Sequence, residues 1–365
     1  MFESLRRISR RVRRAGSDKY FLLMLVSFAI SVSFTRAFLN LTGFPQLGSE
    51  GLHFAHVLWG GLVLFLASII PLLFANRWVY PFGAILSGIG VGLFIDEVGK
   101  FITQTNNYFY PPAAPIIYGF FLLTVFLYSQ VKRKPTHDAR TELYHALDLM
   151  EEVLEHELDH DERADLVTSL ERVRSTTTDD DYRNLAEELL HFLSSPKFNS
   201  GEKILFISDH VSIFINRAKN RLISNRVLHY FCAVSLLLLG TYTMIYPFRV
   251  FLSARTPANL VQFIQPLIQS QLVRSTVGMD WFAARLALEA SVGTLLIVSG
   301  VLLLVKKLIR GLSLAYFSLL LVFTTVDMLI FYYDQFSTIF FVTIQLIVFI
   351  AVTSYQARIK EMKVT

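Results

Sequence analysis

The stretch VYPFGAILSGIGVGLFIDEVGKFI, Val79 to Ile102, carries no charge from Val79 to Ile95 and then presents Asp96, Glu97 and Lys100 in quick succession. A bilayer core takes about 20 apolar residues in helical form, so the segment reads as a membrane span. Gly88, Gly92, Asp96 and Lys100 lie four apart and share one stripe of that helix. The glycines admit a neighbouring helix at close range. A charge inside a span costs at least about 2.5 kcal/mol on insertion scales, so the acids need either a partner or a purpose.

Working outward, the same criterion finds seven more spans: near Tyr20–Leu39, Leu52–Ala75, Ala113–Val131, Val227–Leu252, Phe282–Val305, Leu312–Tyr333 and Thr338–Tyr355. Composition agrees. Hydrophobic residues make up 53% of the 365 and phenylalanine alone contributes 32, more apolar surface than a soluble domain of this length can hide. Mean hydropathy is +0.47. The expected fold is therefore an all-α, polytopic membrane protein of eight spans, with the lipid bilayer as its principal partner.

Lys and Arg fix the expected orientation. The arginines of residues 1–19, Arg77, Lys132 to Lys134, Arg226, the cluster Lys306, Lys307 and Arg310, and the tail residues Arg358, Lys360 and Lys363 all fall on one side, which reads as the cytoplasm. Both termini lie there. In the N-terminal segment, Phe2, Leu5, Ile8 and Val12 recur at helical spacing among six arginines, the pattern of a basic helix on an anionic leaflet. The paired arginines do not read as an export signal, because the following apolar run is long enough to span and no small-residue cleavage site follows it.

The chain thus divides into a basic segment (1–19), four spans (20–131), a cytoplasmic insert (132–225), four more spans (226–357) and a short tail (358–365). In the insert Leu143, Leu147, Met150, Leu154 and Leu158 give a helix one apolar face, and the later segments 166–173, 182–193 and 202–222 also read as helical. Asp179 to Asp181 and Ser194 to Pro196 are breaks. A small helical domain on the cytoplasmic side is a natural place for a protein partner. His156 and His160 stand one turn apart among Glu155, Glu157 and Asp159, which admits a divalent metal or, more simply, a solvated acidic face.

The two halves echo each other in order. Arg36-Ala37-Phe38-Leu39 ends span one as Arg249-Val250-Phe251-Leu252 ends span five. His56 precedes Gly60 in span two as Glu289 precedes Gly293 in span six. Glu97 precedes Phe101 in span three as Asp327 precedes Phe331 in span seven. Each half has four spans and starts from the same side, so the expected repeats are parallel.

In that orientation the intramembrane polar residues collect in the outer half of the bilayer: His53 and His56 in span two, Asp96, Glu97 and Lys100 in span three, Glu289 in span six and Asp327 in span seven. Arg36 and Arg249 stand near the outer ends of spans one and five, placed for headgroup or anion contact. Three chemistries fit. His53, His56, Glu97, Glu289 and Asp327 are the residue types that hold Zn, Mn or Fe, making a divalent metal the one cofactor to consider. The same set suits a proton or cation site in a transporter of a small solute. A structural ion network is the third reading. A metal-dependent enzyme acting on a lipid headgroup, and a non-catalytic sensor or assembly factor, are the alternatives to transport. Two outer segments suit covers over the site: Thr103 to Pro112, polar and aromatic, and Ala258 to Val273, with a one-sided apolar face.

The segments HVLWGG (His56–Gly61), FIDEVGKF (Phe94–Phe101) and NNYFY (Asn106–Tyr110) resemble those of a group of bacterial multi-pass membrane proteins. The resemblance runs from Gly48 to Pro112. It implies a bacterial inner membrane and a shared site for the three segments, and it carries no activity. Nothing in the chain supplies a phosphate-binding glycine loop, a His-Glu-x-x-His helix, a nucleophile elbow or the arginine spacing of a voltage sensor. Cys232 is the one cysteine, which excludes coupling through a dithiol. No nucleic-acid partner is expected.

Overall fold

The computed structural model describes residues 12–14, 16–43, 55–105, 107–108, 110–131, 138–155, 160–194, 225–254 and 276–364, with isolated positions at 261, 265 and 268. The described residues are almost wholly helical. The helices are α1 (Ser17–Thr42), α2 (His56–Leu73), α3 (Val79–Asp96), α4 (Val98–Ile102), α5 (Ala113–Val131), α6 (Ala139–Glu155), α7 (His160–Thr176) and α8 (Asp180–Leu193), followed by α9 (Asn225–Ser253), α10 (Thr276–Leu304), α11 (Leu308–Leu321), α12 (Asp327–Asp334) and α13 (Ile339–Val364). A π turn, Val322–Val326, joins α11 to α12.

Among the described residues eight segments are long and apolar enough to cross a membrane: 17–42, 56–73, 79–96, 113–131, 225–253, 278–304, 308–334 and 339–359. Each coincides with one of the eight expected spans. The protein is an all-α multi-pass membrane protein. Its apolar surface shows why: Phe34 and Phe340 are 69% and 77% exposed, which suits hydrocarbon as the solvent and not water.

Two of the expected spans are not continuous helices. α3 stops at Asp96, and Glu97 adopts φ −90°, ψ 8° before α4 restarts at Val98. The seventh span is wound as π between Val322 and Val326. Hydropathy registers neither interruption, because an all-round apolar helix has no face whose periodicity could slip.

The chain groups into two compact units, one of residues 1–94 with 123–213 and the other of 95–122 with 214–365. The border does not follow the expected halves: the ends of spans three and four, with the loop joining them, belong with the second half. In the first unit α1 crosses α3 at Gly88, where a Cβ would strike the Met24 carbonyl and come within 2.7 Å of Ser27 Cβ. Only hydrogen fits there, as the glycine stripe foretold. The Ser31 hydroxyl, one turn further on, donates to the Ile89 carbonyl at 3.1 Å.

The expected segment 202–222 falls outside the described residues; the described part of the insert lies in the first unit and is a cluster of three helices, α6 to α8. Its core holds Leu143, Ala146, Leu149, Val153, Leu166, Leu170, Val173, Ala186 and Leu193. The expected stripe needs correction. Leu143 is buried and Met150 packs against the core as expected, but Leu147 is 46% exposed and the buried face runs through Ala146, Leu149 and Val153; Leu158 lies outside the described residues. Small Ala146 lets α6 approach closely, a preference invisible when only large apolar residues are tracked. Asp179 is not only a break but the cap of α8, its carboxylate accepting from the amides of Asp181 and Tyr182. Arg14 pairs with Asp148 of α6 at 3.1 Å and lies 3.7 Å over the Tyr80 ring, tying the segment before α1 to both the insert and α3.

In the second unit the core runs along α9, α10, α11 and α13, from Leu228 and Leu236 through Leu296, Leu303, Leu312 and Leu319 to Val352. Gly240 and Gly293 bring α9 against α10, each facing the other's carbonyl. A smaller cluster of Ala114, Tyr118 and Phe331 packs the start of α5 on α12.

Candidate functional site

The buried acids of the second unit are held in three different ways. Asp96, at the end of α3, is wholly buried and accepts a hydrogen bond from the Tyr108 hydroxyl at 2.6 Å. The 103–112 loop that carries Tyr108 folds back over Gly99, close enough that a Cβ there would meet the Asn107 and Tyr108 carbonyls. Tyr108 of this segment thus reaches a buried acid. Glu97, in the break between α3 and α4, is 1% exposed and pairs with Lys100 Nζ at 3.1 Å.

Glu289 of α10 is 3% exposed and binds Arg285, four residues earlier, at 2.7 Å. Arg285 is itself buried and sends its other branch to Asp334 at the end of α12, at 2.6 Å. Its guanidinium sits between the rings of Tyr246 and Tyr333, 5.3 and 5.1 Å from their centroids. A forked cation flanked by two acids and two aromatic faces is well satisfied.

Asp327 differs from both. It has no exposed surface, and among the described residues no Lys or Arg pairs with it. Its neighbours are neutral. The Tyr118 hydroxyl lies 3.4 Å from Oδ2, and with its amide nitrogen turned to the acid, Gln345 of α13 donates to both oxygens at 3.3 and 2.9 Å. Glu289 is near enough to act on it electrostatically. The backbone places it with care. Asp327 begins α12, and its amide reaches back five residues to the Val322 carbonyl to close the π turn. Thr324 and Thr325 donate their hydroxyls to the carbonyls of Leu320 and Leu321, at 2.9 and 2.6 Å. Such turns are enriched at functional sites.

Of the residues singled out in the sequence, Glu289 and Asp327 come together, and Asp96, Glu97 and Lys100 form a second group. His56 starts α2 in the first unit and is half-buried. Arg36 is buried in the first unit, whereas Arg249, its counterpart in the sequence echo, is exposed, so the pair does not share an environment. His53, His156 and the expected surface helix 258–273, isolated positions of it apart, fall outside the described residues, and His160 is the first residue of α7. Among the described residues no group of three or more His, Cys, Asp or Glu side chains is placed to hold a metal ion.

Sequence reasoning missed Arg285, Asp334, Tyr108, Tyr118 and Gln345. The first had a signal: Arg285 and Glu289 stand at the i,i+4 spacing of a helical ion pair inside an apolar run. Gln345 had a fainter one, being the only amide between Thr338 and Tyr355. The tyrosines look like ordinary interfacial anchors until the fold brings them to an acid.

The fold and these sites define a class, a multi-pass helical membrane protein with acids buried in its spans, some paired with cations and one held by neutral side chains. No family model, no curated protein and no solved structure matches the chain.

Proposed function

We propose that this chain is an ion-coupled transporter of the bacterial inner membrane, and that Asp327 is the group that takes up and releases the coupling proton or cation. The termini and the insert lie in the cytoplasm, and the two sets of four spans are parallel repeats. One observation carries the reading. Asp327 is a buried acid for which, among the described residues, no salt-bridge partner stands by, and it is held by groups able to accompany a change of charge. An ionised carboxylate accepts from the Gln345 amide, whereas a protonated one donates to the amide oxygen after a half-turn of that side chain. Tyr118 adjusts by rotating its hydroxyl. Glu97 and Glu289, by contrast, have Lys100 and Arg285 beside them and serve structure. The breaks at Glu97 and ahead of Asp327 fall at equivalent points of the two halves, which supports the duplication. Discontinuous helices at polar residues are a recurring feature of secondary transporters.

The test uses full-length protein in liposomes loaded with a pH-sensitive dye, under a potassium diffusion potential and with or without a sodium gradient. Wild type is expected to move protons, or to respond to sodium, faster than empty vesicles. Asp327→Asn is expected to abolish that difference while eluting as a folded, monodisperse protein. Equal flux in wild type and Asp327→Asn would sink the proposal, as would no difference between loaded and empty vesicles under either gradient.

A further inference from the structure

The junction between α10 and α11 is short and tightly made. Lys306 adopts φ 61°, the left-handed conformation for which glycine is the unstrained choice. That turn lets the amides of Lys306 and Lys307 bond back to the carbonyls of Leu303 and Leu302, both at 2.9 Å. α11 then starts at once, with Lys307 as its cap residue and no cap hydrogen bond from the Lys307 side chain. Around this turn lies a pocket of about 450 Å³ lined by Lys306, Lys307, Leu308, Ile309, Arg310 and Ile359. Three of the six are cations and none is acidic.

The pocket sits where the spans 278–304 and 308–334 meet, beside the end of span 339–359, which places it at a membrane boundary. Exposed apolar side chains adjoin it: Leu304 and Val305, just before Lys306 in the chain, are 46% and 61% exposed, and Ile309 of the lining is 54% exposed. Cations beside exposed hydrocarbon at the end of a span call for a ligand that is anionic at its head and apolar below. We propose that this pocket is a binding site for the phosphate of an anionic glycerophospholipid, with Lys306, Lys307 and Arg310 on the phosphodiester and the Leu304, Val305 and Ile309 face against its acyl chains. Basic pockets between spans select anionic headgroups in this way. A free phosphate would use the cations but leave these apolar side chains idle.

The experiment is thermal unfolding of the purified full-length protein in a neutral detergent, titrated with phosphatidylglycerol, with phosphatidylcholine or with inorganic phosphate. Phosphatidylglycerol is expected to raise the Tm by several degrees, and the other two are not. Each cation near a membrane surface is worth about fivefold in apparent affinity, so a Lys306→Gln, Lys307→Gln, Arg310→Gln triple variant is expected to lose roughly 100-fold. Lys306→Gly separates binding from folding. It relieves the left-handed strain, so its Tm without lipid is expected to stay level or rise while its phosphatidylglycerol affinity falls about fivefold. Asp327→Asn keeps the full lipid response, so failure here and failure of the transport reading are distinguishable. Equal shifts with phosphatidylcholine overturn the proposal, as does a phosphate titration that reproduces the lipid effect. Wild-type lipid affinity in Lys306→Gly and the triple variant overturns it too.

Discussion

Replacing Arg285 by leucine tests how the second unit holds its charges. The guanidinium is about 5% exposed and bridges Glu289, about 4% exposed, to Asp334, 43% exposed. Removing it strands the two acids unequally. Asp334 is wet enough to be re-solvated, and the loss of an exposed pair of that kind is worth about 0–1 kcal/mol. Glu289 has no such recourse. Breaking a buried pair by deleting one partner costs about 3–5 kcal/mol, because the remaining charge stays in a low-dielectric site. If the second unit unfolds as one body, that corresponds to a fall in Tm on the order of 10 °C. Deleting both charges should recover most of this, since apolar residues that fill a former ion pair are often neutral or stabilising. The assay is a double-mutant cycle of Arg285→Leu, Glu289→Leu and the combination, followed by thermal unfolding in detergent. The expected result is a coupling of a few kcal/mol, with Glu289→Leu milder than Arg285→Leu because Arg285 still holds Asp334. Additive single effects, or an Arg285→Leu protein within about 1 kcal/mol of wild type, would refute the reasoning.

Other positions give sharper contrasts. Gly88→Ala should shift α1 off α3 and cost about 1–3 kcal/mol by overpacking, whereas Gly61→Ala, where an added Cβ meets nothing within 4 Å, should be silent in the same size-exclusion and unfolding assays. In the insert, Leu170→Ala empties a site with no exposure and should cost about 2–5 kcal/mol, read as accelerated limited proteolysis between α6 and α8; Leu147→Ser, on the exposed face, should leave the cleavage rate unchanged. Tyr118→Phe removes one long hydrogen bond to Asp327 and should cost about 1 kcal/mol or less in stability, so a larger loss of ion movement than of Tm would mark the hydroxyl as a working group.

The spans were legible because the bilayer imposes a length and a composition that few other structures need. Tyr20 to Leu39 and Ser17 to Thr42 differ only at their ends. The acids were legible for a related reason: a carboxyl among leucines is conspicuous, and Glu289 and Asp327 are both buried as their setting required. What surrounds them was not. Arg285 was readable from its spacing to Glu289, yet Tyr118 reaches Asp327 from a span 209 residues away, and no local pattern announces such a meeting. The π turn was equally hidden. It changes a hydrogen-bond count, not a hydropathy value, and Val322 to Val326 would suit an α-helix just as well. In the insert the error was small and instructive, since close packing selected Ala146 over Leu147.

The winding ahead of Asp327 has a geometric consequence for span seven. An ordinary helix cannot gain or lose a residue without turning everything beyond it by about 100°. A helix that already stores an extra residue can shift that surplus along its length instead. Passing it beyond position 327 would leave both ends of the span seated while the carboxyl swings a little over a quarter-turn about the axis, away from its tyrosine. An acid mounted in this fashion can exchange one set of neighbours for another without any helix having to slide or tilt, with Val326 beside it giving up its core contacts in the same move.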